Sequence, residues 1–256
     1  MPWPCVNQGG TSSQIFLDTI PILEKELALP LESVRALAFW KVRVGQVITL
    51  TGPENRYFRG RLTSVANAVA TVVPFVELPV PVESPLCLTV FQALPEKERF
   101  ELVLEKLTEI GAQRIVPFHS KRSTTLQERD AVQKKSHRWP AVLLRAAKQC
   151  RRAMIPELAP VVQWSQVLEE MAASQRTLLF YEGQDRHGLS HHIGQWKPNS
   201  LALIIGPEGG FCKEEVISAQ ELGAQIVSLG PRILRTETAA IVAATACQML
   251  YGDLDI

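Results

Sequence analysis

The first third of the chain is built from short apolar runs that are separated by turn residues. Three runs predict strands, at residues 46–51, 56–62 and 68–76, and the Gly52–Asn55 segment predicts a turn between the first two. Three prolines between Pro79 and Pro85 exclude a helix or a central strand there. The pattern therefore predicts a small β-rich domain over residues 1–82 that ends in a stiff connector.

Beyond the connector, apolar runs of strand length alternate with helical patterns. Strands are predicted at residues 86–93, 114–118, 178–181, 201–205 and 225–229. Helices are predicted from Pro95 to Gly111, from Pro140 to about Arg152, from Lys213 to Gly223, and over Thr236–Met249. Alternation of this kind is typical of a parallel sheet flanked by helices, so residues 83–256 are expected to form an α/β domain.

Composition excludes several classes of protein. The chain has 256 residues, of which 46% are hydrophobic and 21% charged, so it can bury a core without staples. Its five cysteines form no C-x-x-C pair, which argues against a disulfide framework or a zinc knuckle. The first residues lack the pattern of a secretory signal, and prolines interrupt the most apolar window, so we expect a cytoplasmic protein without a membrane span.

Basic residues are clustered although the net charge is only +1. Residues 131–156 contain no Asp or Glu and seven cations: Lys134, Lys135, Arg138, Arg145, Lys148, Arg151 and Arg152. A second cluster lies in the β-rich domain: Arg35, Lys41, Arg43, Arg56, Arg59 and Arg61, interleaved with Tyr57 and Phe58. One basic helix is equally well explained as a solvated face. Two clusters in separate domains favour a polyanion, and the aromatic residues favour RNA over duplex DNA.

Two glycine-containing segments follow predicted strands. Gly206-Pro-Glu-Gly-Gly-Phe comes after the strand at 201–205, and Gly230-Pro-Arg-Ile-Leu-Arg comes after the strand at 225–229. Because parallel strands end at one edge of a sheet, both segments are expected to border the ligand crevice. Neither fits G-x-G-x-x-G or the P-loop pattern, which counts against a dinucleotide or a nucleoside triphosphate.

Four motifs together carry a resemblance to a known family. They are Lys106-Leu-Thr-Glu-Ile-Gly111, Gln149-Cys-Arg-Arg152 with Ile155-Pro156, Gly206–Phe211, and Leu229-Gly-Pro-Arg-Ile-Leu-Arg-Thr-Glu-Thr-Ala239. Over residues 86–252 the chain resembles the ribosomal RNA small subunit methyltransferase E family. The resemblance implies a SPOUT-type parallel sheet with a C-terminal trefoil knot, preceded by a small PUA-like β-barrel domain. It also implies a homodimer that uses S-adenosyl-L-methionine to methylate N3 of a uridine in 16S rRNA of the small ribosomal subunit.

The resemblance also implies roles for individual residues. Those expected to bind the cofactor are Ile205, Gly206, Pro207, Glu208, Gly210, Leu229, Gly230, Ile233, Leu234, Thr238 and Ala239. Arg235 is expected to stabilise the uracil anion, since uridine N3 becomes a nucleophile only after it loses its proton. Glu237 and Glu208 are candidates for the base, with solvent as the alternative. RNA contacts are expected from Arg122, Gln149, Arg152, Lys41, Arg56 and Arg59.

Other interpretations stay open at the level of sequence. The same fold could act on tRNA or on ribose 2′-hydroxyl groups, or it could serve as a non-catalytic RNA-binding assembly factor. His187, His191 and His192 lie in a polar segment without a completing carboxylate or thiol pattern, so no metal is expected. Cys212 stands where the family usually has a helix-capping serine. The N-terminal domain matches the family less well, with Val34–Lys41 in place of a His-His-Leu stretch.

Overall fold

Two compact units make up the chain. The structure, a computed structural model, describes residues 9–66, 69–95, 99–123, 138–183, 187–189 and 198–254. The N-terminal unit comprises Gln8–Glu83 and Leu143–Glu157, and the C-terminal unit comprises Ser84–Val142 and Leu158–Ile256. The division at Glu83 falls inside the proline-rich connector. The inclusion of residues 143–157 in the N-terminal unit has no signal in the sequence pattern, which continues the preceding helix.

The N-terminal unit is a four-stranded antiparallel sheet with one helix. Its elements are β1 (Leu27–Ala28), α1 (Leu31–Trp40), β2 (Val47–Thr51), β3 (Tyr57–Ala66) and β4 (Val69–Glu77). The strand order is β1-β4-β3-β2. Gly60 of β3 is required by packing, because a Cβ atom there would lie 2.6 Å from Val72 and 2.7 Å from Leu50. The three strands predicted in this region are confirmed to within a few residues, whereas α1 was not predicted.

A mostly parallel sheet forms the centre of the C-terminal unit. Its strands are β5 (Cys87–Ala93), β6 (Arg114–His119), β7 (Glu157–Leu158), β8 (Val162–Gln163), β9 (Arg176–Phe180), β10 (His187–Gly188), β11 (Ser200–Ile205) and β12 (Gln225–Ser228). Among the described residues the order is β10-β12-β9-β11-β5-β6-β7, with β8 also pairing with β6. The pairs from β10 to β6 are parallel. The prediction of an α/β domain with a parallel sheet is therefore confirmed.

Helices pack around this sheet. They are α2 (Arg99–Glu109), α3 (Trp139–Gln149), α4 (Trp164–Met171), α5 (Lys213–Glu221) and α6 (Thr236–Tyr251). The predicted apolar stripe of α2 is buried, and Gly111, with φ 96°, adopts the left-handed conformation just after it. Helix α3 ends three residues before the predicted position, because Arg151 is left-handed, with φ 62°. Helix α4 was not predicted. The trefoil knot stays a prediction.

Candidate functional site

Three neighbouring strands end at the same edge of the C-terminal sheet. Strands β12, β9 and β11 are parallel neighbours, so their carboxyl ends meet. β9 is followed by Tyr181 and Glu182, β11 by residues 206–211, and β12 by residues 229–235. We call the last two segments the first and second glycine loops. This edge is the usual ligand crevice of a parallel sheet.

The first glycine loop is held by groups from outside it. Gly210 is left-handed, with φ 67°, and a Cβ atom on it would lie 2.5 Å from Glu182 Oε1. Arg122 Nη1 donates a hydrogen bond of 2.8 Å to the carbonyl oxygen of Gly209. Only glycine fits this conformation without strain and without displacing the carboxylate.

A buried carboxylate fixes the exit from the first glycine loop. Glu215 is 2% exposed and accepts a hydrogen bond of 2.9 Å from the backbone N–H of Cys212, the residue before α5. It also accepts hydrogen bonds from the hydroxyl of Ser120 and the backbone N–H of Lys121. Glu215 therefore satisfies the N–H group of the residue that precedes α5, which is the half of a capping box that does not depend on the side chain at position 212.

The two glycine loops are joined through buried polar side chains. Thr236, at the start of α6, donates a hydrogen bond of 2.5 Å to the carbonyl oxygen of Gly206. Gln92 of β5 is fully buried and donates to the Thr236 hydroxyl at 2.9 Å. Gly230, with φ 109°, turns the second loop, and its N–H donates to Ser228 Oγ. This network fixes the position of one loop relative to the other.

Together these segments enclose a cavity of about 300 Å³. Residues of both glycine loops line it, and its apolar lining residues include Phe180, Ile205 and Leu234. A smaller cavity of about 60 Å³ is lined by Tyr181 and by the second loop from Leu229 to Leu234, apart from Pro231. The two cavities share Phe180, Glu182, Ile233, Leu234 and Ala239. Apolar walls with exposed backbone groups are typical of a site for a small organic cofactor.

Charged side chains at the larger cavity differ in whether they are paired. Arg99 Nη1 lies 2.9 Å from Glu208 Oε1, and Arg99 Nε lies 4.0 Å from Glu237 Oε1. Arg235 lines the cavity and is exposed, and no described carboxylate lies within ion-pair distance of it. Glu208 and Glu237 are thus next to Arg99, and no ion pair among the described residues holds the Arg235 guanidinium.

Sequence comparisons agree with this arrangement. The model of the RNA methyltransferase domain family matches residues 82–248. The ribosomal RNA small subunit methyltransferase E of Mycobacterium bovis is 38% identical over 179 residues, covering 68% of this chain and 67% of the relative. The Bacillus subtilis protein of the same name is 32% identical over 180 residues, covering 67% of this chain and 70% of the relative. The chain belongs to the ribosomal RNA small subunit methyltransferase E family.

Solved structures of similar proteins support the family assignment. The ribosomal RNA small subunit methyltransferase E of Neisseria gonorrhoeae, bound to S-adenosylmethionine, has a TM-score of 0.68 and 30% identity and covers 94% of this chain and 98% of its own. A methyltransferase of Legionella pneumophila in complex with the same cofactor has a TM-score of 0.65 and 32% identity, with the same coverage. The predicted fold class is confirmed by this likeness.

Most of the residues predicted to bind the cofactor line the two cavities. Those at the larger cavity are Ile205, Gly206, Pro207, Glu208, Gly210, Ile233, Leu234 and Ala239, with the predicted catalytic residue Arg235. Leu229 and Gly230 line the smaller cavity. Thr238 is exposed and lines neither, and Glu237 is 9% exposed and lines neither. The fold therefore brings the two glycine loops together as expected for the family.

Several lining residues were missed at the level of sequence. Phe180 is the last residue of β9, Tyr181 and Glu182 follow it, and Arg99 and Thr236 begin α2 and α6. A signal for the first three was present, because the predicted strand at 178–181 belongs to the same sheet edge. Arg99 had no such signal, since its pairing with Glu208 depends on tertiary structure.

The predicted RNA-binding residues fall into three groups. Arg122, Lys41 and Gln149 are exposed, and Arg59 lies at a cavity in the N-terminal unit. Arg56 forms an ion pair of 2.6 Å with Glu77, in which both side chains are over a third exposed. The prediction for Arg152 is corrected by the structure.

Arg152 is 5% exposed and forms a buried ion pair. Its Nη2 and Nε atoms lie 2.6 and 3.1 Å from Glu83 Oε2, and Glu83 also accepts the backbone N–H groups of Ala153 and Met154. All of these residues belong to the N-terminal unit. A guanidinium held in this way compensates a buried carboxylate, and its donors are turned to Glu83 and away from RNA.

Two further predictions concern metals and membranes. Among the described residues no group of three or more His, Cys, Asp or Glu side chains is arranged to hold a metal ion. His191 and His192, which were considered as ligands, lie outside the described residues. In the same part of the chain, every helix is too short or too polar to span a bilayer.

Proposed function

We propose that this protein uses S-adenosyl-L-methionine to methylate N3 of a uridine in 16S rRNA of the small ribosomal subunit. The observation that carries the proposal is the cavity between the two glycine loops in a chain of this family, with Arg235 at its wall and no described carboxylate in ion-pair distance of that residue. The names of the relatives support methylation of small-subunit rRNA. The uridine N3 position and the homodimer come from the family resemblance.

The residues of the larger cavity fit an adenosyl cofactor. The backbone of Gly206 and Gly210 would hold its polar edges, and Phe180, Ile205 and Leu234 would contact its apolar faces. When bound, the cofactor supplies an electrophilic methyl group on a sulfonium.

Arg235 acts on the nucleophile in this proposal. Uridine N3 carries a proton at neutral pH, and its removal places negative charge on the neighbouring carbonyl oxygens. A guanidinium is permanently charged and offers several N–H donors in one plane, so it stabilises that anion when it is pre-positioned. Arg235 directly precedes α6, and the Thr236 network fixes the backbone beside it.

Glu237 is the candidate base with the clearer structural argument. Its Oε2 atom is buried without a hydrogen-bond partner among the described residues, and Oε1 lies at the limit of ion pairing with Arg99. Glu208 is engaged more closely by Arg99, at 2.9 Å. A weakly solvated carboxylate with one unused oxygen has the capacity to accept a proton. Direct transfer from uridine requires the base to reach N3, and solvent remains the alternative acceptor.

The proposal is tested by nucleoside mass spectrometry. Purified protein is incubated with isotopically labelled S-adenosylmethionine and with small ribosomal subunits that lack the modification, and the rRNA is digested to nucleosides. We expect labelled N3-methyluridine. Arg235→Ala should lower the rate of transfer by about 100-fold, as is typical for loss of a group that stabilises an anion in the transition state.

Two controls make the result specific. Lys106→Ala removes a cation that is held by Glu105 and Glu109 on the surface of α2. This variant should transfer the methyl group at the wild-type rate. Circular dichroism should show that both variants are folded. A label on ribose or on tRNA would reject the uridine assignment, and no label on any RNA would favour a non-catalytic assembly factor.

A further inference from the structure

The N-terminal unit contains a cavity larger than the one between the glycine loops. Its volume is about 680 Å³, and its lining residues come from the end of α1, from β2, β3 and β4, and from residues 147–152. All of them belong to the N-terminal unit. A volume of this size is sufficient for a nucleotide-sized ligand.

One side of this cavity is apolar and partly aromatic. Trp40 and Phe75 line it together with Val47, Val76 and Leu78. Val47 and Val76 are 48% and 40% exposed, so this part of the lining is open to solvent. The Trp40 indole is held in place, because its Nε1 donates a hydrogen bond of 2.6 Å to the carbonyl oxygen of Ser13. Trp40 is only 6% exposed and Phe75 is partly buried, so the aromatic part of the lining is fixed in place and presents a limited surface to the cavity.

The other side is cationic. Arg59, Lys148 and Arg151 line the cavity, no lining residue is an Asp or Glu, and no described carboxylate pairs with any of the three. Arg59 Nη1 donates to the Thr49 hydroxyl and, at 3.1 Å, to the carbonyl oxygen of Arg151, which orients the guanidinium. The remaining N–H groups of Arg59 have no partner among the described residues.

Burial and nearby positive charges disfavour the charged forms of two of these cations. The pKa of Arg59 is lowered by burial and by the nearby charge of Arg151. Burial and the charges of Lys41 and Arg43 likewise lower the pKa of Lys148. Elsewhere in the same unit Arg56 and Arg152 are each held by a carboxylate, so the fold can neutralise a cation where nothing else does. Binding of an anion to cations that no described carboxylate neutralises is favourable.

We propose that this cavity binds one unpaired nucleotide of the RNA substrate, with the base against the apolar wall of Trp40 and Phe75 and the phosphate at Arg59, Lys148 and Arg151. An aromatic wall beside dispersed cations matches a base and its phosphate, because every base presents a stacking face and every phosphate a full charge. The proposal rests on the proposed function in one respect, namely that the ligand is RNA.

Binding to a short fluorescein-labelled single-stranded RNA, measured by fluorescence anisotropy at several salt concentrations, tests the cationic wall. The full-length variant Lys148→Ala/Arg151→Asn removes two cations, and asparagine tolerates the left-handed backbone at position 151. We expect binding to weaken by about tenfold or more and the salt dependence to become shallower, by about 0.7 in log–log slope for each lost phosphate contact. The charge-matched control Lys25→Ala/Lys106→Ala lies outside the cavity and should bind like the wild type.

The apolar wall is tested by photo-crosslinking of the wild-type protein to RNA that contains 4-thiouridine. Mass spectrometry should find the crosslinks in peptides that carry Trp40 or Phe75. The proposal would be overturned if Lys148→Ala/Arg151→Asn and Lys25→Ala/Lys106→Ala weakened RNA binding equally. Crosslinks only outside the cavity would overturn it as well. Competition by free uridine monophosphate at the concentration at which RNA competes would assign the cavity to a free nucleotide and would overturn it as well.

Cofactor binding to the same variants separates this proposal from the proposed function. Calorimetry with S-adenosylmethionine should give wild-type affinity for Lys148→Ala/Arg151→Asn, because neither residue lines the cavities between the glycine loops. If the wild type binds RNA through this cavity but binds no cofactor, the proposed function fails and the nucleotide site stands. If it binds cofactor but no RNA, the nucleotide site fails.

Discussion

Burial decides the role of Arg152. The residue lies in a basic segment and in a motif that resembles the family, so the sequence predicts RNA contact. Its partner Glu83 is 69 positions away and directly follows the predicted β-rich domain, and nothing in the local pattern reveals that pairing. Arg122, Lys41 and Gln149 stay exposed. Sequence can therefore indicate that a basic surface exists, but the folded structure determines which of its members are free.

Replacing Arg152 provides a test at this scale. Arg152→Ala leaves the Glu83 carboxylate buried with only the N–H groups of Ala153 and Met154, so we expect the free energy of unfolding to fall by about 3–5 kcal/mol. Urea denaturation measures this loss. Lys25→Ala, an exposed cation of the same unit, should change the free energy by less than about 0.5 kcal/mol. An Arg152→Ala protein with wild-type stability but weak RNA binding would restore the original prediction.

Most elements were predictable because their periodicity is strong. The buried strands β5, β6, β9, β11 and β12 appear as apolar runs, and α2 shows a complete apolar stripe. Helices α1 and α4, of ten and eight residues, were missed, although α1 is rich in apolar residues. The contact between the two glycine loops was predicted from the sheet edge, but the Gln92 and Thr236 side chains that join them were not, because their bonds connect distant elements.

The junction of these elements leads to a prediction about α6. Thr236→Val keeps the shape of the side chain but removes the hydroxyl, so the Gly206 carbonyl oxygen and a Gln92 N–H lose this partner. We expect the affinity for S-adenosylmethionine to fall by about tenfold, with a loss of about 1–3 kcal/mol in the free energy of unfolding. Thr236→Ser retains the hydroxyl and should restore the affinity. Calorimetry and urea denaturation measure the two quantities, and equal affinities for the two variants would contradict the positioning role.

At the scale of the whole molecule, cavities with different linings lie in the two units. The C-terminal unit carries the two glycine loops, and the N-terminal unit carries a basic, partly aromatic cavity whose lining includes Ala147, Lys148, Arg151 and Arg152. Sequence predicted a boundary near residue 82 but not the return of residues 143–157 to the first unit. That return depends on contacts such as the hydrogen bond from Gly10 N–H to the carbonyl oxygen of Ile155. Local patterns carry no information about such long-range contacts.

Cofactor binding between the glycine loops is the most direct test of the proposed function. Titration calorimetry of the purified chain with S-adenosylmethionine should register saturable binding of one molecule per chain. Gly210→Ala should lose at least about tenfold in affinity, because a Cβ atom there meets Glu182 and the backbone is left-handed. Gly223→Ala imposes a left-handed backbone on alanine where no atom lies within 4 Å, and it should bind like the wild type. Absence of binding heat from the wild-type protein at any temperature tested, or equal affinity in the two variants, would contradict the account.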